Sequence, residues 1–382
     1  MIRVLMLGQG VVGTIFAVGL ERIKRGELKP YGVPLADMPL KYGFKDIELV
    51  GSVEVDSRKT GKDVYQVATE FYGFGNVPES LRKVKVYKGV EMRSLKDLNI
   101  PVSSLDRELE FKEALDEFYS LYEKLKPDVI VDVCTTQKSS LVTDIRQVEE
   151  KIEKGGVGLV PSQVYAYLAF KYAERGRKIA YVNLIPVLLA NSPGYVKMAE
   201  ESSSLILGDD GATGATPLTA DLLEHLKERN RFVRSITQFN IGGNMDFLAL
   251  LNEERNRAKE ATKSSIVKDI LEYEAPHYIK PTGYLKPLGD KKFVAMHIEY
   301  VSFNGAVDEI FINMRVNDSP ALAGYIVDLV RLAKLALENG FKGTIYEVNA
   351  FYMKRPGPIS SPSTSRILAF NRLLEFIEKK LS

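Results

Sequence analysis

"IRVLML", residues 2–7, runs directly into "GQGVVG", with Gly8, Gly10 and Gly13 in G-x-G-x-x-G spacing, and an apolar helical pattern follows from about Val11. An apolar run, a glycine turn and a helix in that order admit few folds. The first glycine allows a tight turn, the second lets a phosphate approach backbone N–H groups at the helix N-terminus, and the third permits close helix packing. Gly8, Gly10, Val11, Val12 and Gly13 are therefore read as a dinucleotide-binding loop. Such a loop expects an acidic residue at the end of the second strand, ~20 residues further on, for the ribose hydroxyls. "GSVEVDSRKTGKD" supplies Glu54 and Asp56 at roughly twice that separation. The turn-rich stretch "RGELKPYGVPLADMPLKYGF" accounts for the excess as an insertion. Carboxylates there favour NAD, while Arg58 and Lys59 leave NADP open.

Further apolar runs, "IELVGSVEV" and "DVIVDVCTT", alternate with helical patterns; Phe111, Leu115, Phe118, Tyr122 and Leu125 keep helical spacing up to the stop at Pro127. This alternation predicts an α/β fold, a doubly wound Rossmann domain with a parallel sheet. Thr135, just past the third run, is placed among the cofactor contacts. From Phe293 the texture changes to period two in "FVAMHIEYVSF" and "EIFINMRV", separated by the turn signal Asn304-Gly305. An inserted α+β domain with a large antiparallel sheet is expected. "SPALAGYIVDLVRLAKLALENG" then restores a long amphipathic helix, so the chain leaves the parallel domain and returns to it. At 382 residues, against ~150 per domain, two units are reasonable: 1–215 with 320–382, and 216–319.

Composition narrows the function classes. Fifty-two basic and 50 acidic residues leave a formal charge of +2, so no global field recruits nucleic acid or an anionic membrane. One cysteine, Cys134, in an apolar setting, reads as a core thiol in a reducing compartment. His225, His277 and His297 lack metal-ligand spacing, which argues against histidine-based chemistry. No signal-peptide succession opens the chain, and the most apolar later stretch is broken by Asn183, Pro186 and Asn191, so a cytoplasmic protein without a membrane span is expected.

Three stretches in the second half carry polar chemistry. "LILGDDGATGAT" is a strand followed by Asp209, Asp210 and a small-residue loop whose N–H groups and Thr213 and Thr216 hydroxyls suit a phosphate monoester; equally, it reads as a strand-to-helix turn capped by Thr216. "NIGGNMDFLAL" offers Asn244 and Asp246 for hydroxyls, a metal ion or a nicotinamide amide, or as an N-cap cluster. In "KEATKSSIVKD", Lys259, Lys263, Ile266 and Ile270 share one helix face, as a solvated surface or as cations aimed at a site.

Together with "PVLLANSP", "LGDKKFVAMHIEY", "VNDSPALAG" and "FYMKRP", in this order, these stretches resemble the myo-inositol-1-phosphate synthase family, in its shorter archaeal and actinobacterial branch. The resemblance covers residues 180–382 and the glycine loop; between about 60 and 180 only the general pattern is shared. It implies an NAD-dependent isomerase converting D-glucose 6-phosphate to 1L-myo-inositol 1-phosphate. Oxidation at carbon 5 acidifies the carbon 6 proton, the enolate closes onto the carbon 1 aldehyde, and the ketone is reduced again. By the same resemblance Lys259, Lys263, Lys292 and Lys354 form a lysine set with the carboxylates Asp210, Asp246 and Asp318. Lys259 moves a proton at the carbon 5 oxygen, and Lys292 and Lys354 hold the carbonyl oxygens of the aldol step. Lys291 stands as a possible substitute for Lys292. Lys263, Ser264 and Ser265, with Thr213, Gly214, Ala215 and Thr216, grip the phosphate, and Asp209 and Asn244 join the cofactor contacts. A homotetramer formed through the antiparallel sheet is implied, as is a divalent cation, Mg or Zn.

Other readings stay open at this level. A dehydrogenase of the homoserine or aspartate-semialdehyde kind shares the glycine loop and inserted sheet but releases NADH. A non-catalytic NAD-binding sensor uses its sheet only for association and has no need of four lysines.

Overall fold

The computed structural model describes residues 1–96, 98–252, 256 and 266–381. Six strands, β1 (Ile2–Leu7), β2 (Ile47–Glu54), β3 (Val86–Lys88), β4 (Val129–Asp132), β5 (Ala180–Asn183) and β6 (Leu205–Leu207), form one sheet in the order β3-β2-β1-β4-β5-β6. All five pairings are parallel. The order reverses beside β1, which makes its C-terminal edge the crevice of a doubly wound sheet.

Strand alternation explains the two cores. Ile2, Val4 and Met6 of β1 enter one apolar cluster, with α1 (Val11–Lys24). Leu5 and Leu7 point the other way, into a cluster with α2 (Phe111–Leu125) and α3 (Pro161–Ala173). Each strand is thus buried on both faces, as a parallel sheet under helices requires. The insertion after α1 lies against the long C-terminal helix: Leu35 N donates to the buried carboxylate of Asp328, and Arg331 donates to the Leu35 carbonyl.

A second sheet holds β7 (Phe232–Gly242), β8 (His277–Tyr284), β9 (Lys291–Val301) and β10 (Val307–Asn317), in the order β10-β9-β7-β8. It is mixed rather than the large antiparallel sheet expected, because β8 runs parallel to β7. Parallel neighbours need a crossover, and the chain between these two strands includes helical residues 266–271. The β9–β10 hairpin is antiparallel, and its turn residues Asn304 and Gly305 have φ of 60° and 74°, the positive values that an Asn-Gly hairpin favours. Helix α4 (Thr216–Glu228) and residues 266–271 cover one face, burying Leu223, Ile270, Met296 and Ile298. The other face carries a cross-strand row of Phe311, His297, Thr237 and Tyr278, with both aromatic ends exposed. A short helix, α5 (Met245–Ala249), follows β7. After β10 the chain returns to the first sheet: α6 (Asp318–Glu338) packs on α1 and on β1, β4, β5 and β6, and α7 (Tyr346–Tyr352) follows. None of the described helices is long and apolar enough to cross a membrane.

Candidate active site

Strand β1 delivers the glycine loop to the C-terminal edge of the parallel sheet. Gly8 has φ 99°, and a Cβ there would lie 2.9 Å from the Val133 carbonyl oxygen; one on Gly13 would lie 2.7 Å from the Gly8 carbonyl. Around Gly10, by contrast, nothing stands within 4 Å of such an atom. Helix α1 begins there with no side-chain cap and no acidic residue in its first turn. Its leading N–H groups and their partial positive charge are therefore available to an anion. These residues fit the pyrophosphate of a dinucleotide.

From this loop a cleft of about 490 Å³ passes Glu54, Asp56 and Thr135 and reaches Asp210, Thr213, Lys292, Asp318 and Lys354. At its near end both carboxylates are already engaged. Glu54 accepts from the Val55 and Asp56 N–H groups and is ion-paired with Lys59; Asp56 is held by the Arg58 guanidinium at 2.7 and 2.9 Å. Burial works against the Lys59 ammonium, but the charge and hydrogen bond of Glu54 together with the neighbouring Tyr72 and Asp56 outweigh it, and its pKa is raised.

The far end is built from four segments. Asp210 follows β6 and carries φ 61°, a conformation rare outside glycine and characteristic of functional loops. Lys354, just past α7, donates to Asp210 Oδ1 at 2.9 Å, and the two backbones are joined by Lys354 N to the Asp210 carbonyl at 2.6 Å. Lys292, second residue of β9, donates to Asp318 Oδ2 at 2.6 Å, where α6 begins. Both ammonium groups belong to buried lysines. Between the pairs lies the loop 211–215: Gly214 has φ 73°, and a Cβ there would sit 2.2 Å from Lys292 Nζ and 2.9 Å from Asp318 Oδ1. That oxygen has no hydrogen-bond partner among the described residues although it is buried. Thr216 is the first residue of α4 rather than its cap, and the helix N-terminus has no side-chain cap. The arrangement presents two fixed cations, two carboxylates that orient them and an open helix N-terminus in one enclosed space, suited to an anionic, oxygen-rich ligand.

The model of the myo-inositol-1-phosphate synthase family matches residues 214–319, the span that contributes Gly214, Lys292 and Asp318. Over its whole length the chain is 50% identical to a myo-inositol-1-phosphate synthase-related protein from Thermotoga maritima, whose crystal structure matches with a TM-score of 0.94 and coverage of 100% of both chains. The chain belongs to the myo-inositol-1-phosphate synthase family. An inositol-3-phosphate synthase of Corynebacterium glutamicum is 28% identical over 373 residues, 93% of each chain. An inositol-3-phosphate synthase of Caenorhabditis elegans, 16% identical with a TM-score of 0.82 over 98% of this chain and 85% of its own, shares the fold.

On this family fold the residues singled out in the sequence take different places. Gly8, Gly10, Val11, Val12, Glu54, Asp56, Thr135, Asp210, Thr213, Ala215, Thr216, Asn244, Lys292, Asp318 and Lys354 line the cleft, while Gly13 and Gly214 back its walls. Strand alternation separates the two lysines of "GDKK": Lys291 is exposed and Lys292 is buried at the cleft. Lys259, Lys263, Ser264 and Ser265 lie outside the described residues, as does the side chain of Asp246 on α5. Cys134 is only partly buried and forms part of the cleft wall. The sequence reading missed Asp290, which accepts from Asn244 Nδ2 at 3.0 Å and from Ser319 N and Oγ at 3.0 and 2.6 Å, tying together the starts of α5, β9 and α6. Its only signal was its place next to Lys291 and Lys292. Among the described residues no group of three or more His, Cys, Asp or Glu side chains could hold a metal ion, so the divalent cation expected from the resemblance gains no support here.

Asp209 departs from its assignment as a cofactor contact. Its fully buried carboxylate does not reach the cleft and instead accepts from the Asn183 and Asn191 side chains and the N–H groups of Leu189, Ala190 and Asn191, at 2.7 to 3.1 Å. Burial pushes it from 3.8 to about 6, against the pull of those donors. A carboxyl raised in the folded state favours folding when protonated, so its contribution is lost as pH rises from about 4 to about 6. Asp209→Asn cannot titrate. The stability of the wild type relative to that variant, read from urea unfolding at pH 4.5 and pH 7, should therefore fall by about 2 kcal/mol as pH rises. A pH-independent difference would refute this assignment.

Proposed function

We propose that this protein is a myo-inositol-1-phosphate synthase, isomerising D-glucose 6-phosphate to 1L-myo-inositol 1-phosphate with NAD. The observation that carries the reading is the continuity of one cleft from the glycine loop to the two buried lysine–carboxylate pairs. A simple dehydrogenase needs one fixed electrophile beside its cofactor; an isomerase that also closes a carbon–carbon bond develops negative charge on more than one sugar oxygen. NAD, which the glycine loop and Glu54 would hold, would supply a reversible hydride acceptor beside the sugar. Lys292 and Lys354 stabilise the sugar oxygens where charge develops, each contributing roughly 3–4 kcal/mol to the barrier. Asp318 and Asp210 hold those ammonium groups in place, and Thr213, Thr216 and the N-terminus of α4 receive the phosphate. Lys259, as proton carrier at the carbon 5 oxygen, and Lys263, Ser264 and Ser265, on the phosphate, enter through the family resemblance.

The proposed division is an NAD-binding unit of residues 1–215 and 320–382 and a catalytic unit of 216–319. The exposed aromatic face of the second sheet supports self-association; four subunits and a cytoplasmic location enter through the family resemblance and the sequence reading. Purified protein given glucose 6-phosphate and NAD should yield an inositol phosphate resonance by phosphorus NMR without net NADH. Accumulating NADH would favour a dehydrogenase of the homoserine or aspartate-semialdehyde type, and no turnover would favour a sensor; either result overturns the proposal.

A further inference from the structure

Lys59 belongs to no part of the chemistry above, yet it is one of the few buried lysines, at 6% exposure. Its ammonium is ion-paired with Glu54 at the end of β2 and also donates to the Gln9 carbonyl, at 3.2 Å, inside the glycine loop. The Phe71 and Tyr72 rings stand 5.3 and 5.9 Å from it and close the space around it. The Gln9–Gly10 peptide is trans, so its carbonyl and the Gly10 N–H point in opposite directions. Fixing Gln9 O on Lys59 therefore turns the Gly10 N–H away from Lys59, at a residue that lines the cleft and whose Cβ side is open. The same ammonium pins Glu54, whose other oxygen accepts from the Val55 and Asp56 N–H groups. A fixed distance results between the ribose acceptor and the phosphate-facing loop.

We propose that Lys59 is the positioning residue of the dinucleotide site: its bridge between Glu54 and the Gln9 carbonyl presets the Gly10 N–H for the pyrophosphate and Glu54 for the adenosine ribose. The proposal rests on the reading of this cleft as a nicotinamide dinucleotide site. Lys59 lines the same cleft, and its ammonium, engaged by Glu54 and the Gln9 carbonyl, acts on the dinucleotide through them. Removing it costs more than a surface ion pair does, because the pair is buried and two segments depend on it.

The test is direct binding of NADH, followed by its own fluorescence, to the full chain; the absence of tryptophan leaves that signal unobstructed. Lys59→Met should weaken NADH binding by roughly 10- to 100-fold, with circular dichroism unchanged, and Lys59→Arg should recover part of the loss. Glu54→Gln and Lys59→Met should be strongly non-additive, the double variant binding no worse than the weaker single one. Unchanged affinity in Lys59→Met, or additive losses in the cycle, would overturn the proposal. If Lys59→Met does not fold, the cycle of Lys59→Arg with Glu54→Gln decides by the same criterion. Failure of the wild type to bind NADH would instead refute the dinucleotide reading beneath it.

Discussion

Replacing Lys292 by methionine is expected to lower turnover of glucose 6-phosphate by about 10²- to 10³-fold, the loss seen when one preorganised donor to a developing oxyanion is removed. Methionine keeps most of the apolar stem, so packing survives and the ammonium alone is lost. The variant also leaves Asp318, 2.6 Å away in the wild type, without its cation. Unpairing a buried charge costs roughly 3–5 kcal/mol, but the Asp318 side chain retains 21% exposure, so the lower end or less applies. Stability and chemistry can be separated. Adding Asp318→Asn to Lys292→Met should restore much of the melting temperature and none of the turnover. Recovery of both would mean that Lys292 matters only for folding.

Gly214→Ala should be almost as damaging, although it adds one methyl group. The positive φ of 73° costs a non-glycine residue about 1–2 kcal/mol. The larger effect is steric, because the new Cβ falls 2.2 Å from Lys292 Nζ and 2.9 Å from Asp318 Oδ1. Either the loop 211–215 or the ammonium must move, and a displacement of that size at a reacting group costs about 100-fold. Steady-state kinetics should show kcat falling and KM for glucose 6-phosphate rising, since the loop that receives the phosphate and the lysine that meets the sugar shift together. An unchanged kcat would place Lys292 outside the chemistry.

Local periodicity carried much of the fold. The β1–loop–α1 unit depends on residues adjacent in sequence, and the parallel sheet followed from short apolar runs separated by helices. Period two in "LGDKKFVAMHIEY" already separates Lys291 from Lys292, because neighbours on a strand face opposite sides. What escaped depends on distant partners. Asp209 and Asp210 are adjacent and chemically identical, yet one turns into a cage supplied by residues 183–191 and the other meets Lys354, more than a hundred positions away. The parallel pairing of β8 with β7 was hidden although the helix face at Ile266 and Ile270 was legible, because nothing local says beside which strand the chain returns. Lys59 read as a basic residue bearing on NADP, and only folding brings it between Glu54 and Gln9. Asp290 was hidden in the same way, since Asn244 and Ser319 reach it from 46 and 29 residues away.

The central claim is an internal oxidation and reduction within one cleft, with the hydride leaving the sugar and returning to it. The most direct measurement supplies glucose 6-phosphate deuterated at carbon 5, with excess unlabelled NAD, and analyses both product and cofactor by mass spectrometry. The account predicts inositol phosphate that retains the deuterium, beside a free cofactor pool that remains unlabelled. Deuterated NADH accumulating in solution, or inositol phosphate that has lost the label, would contradict it.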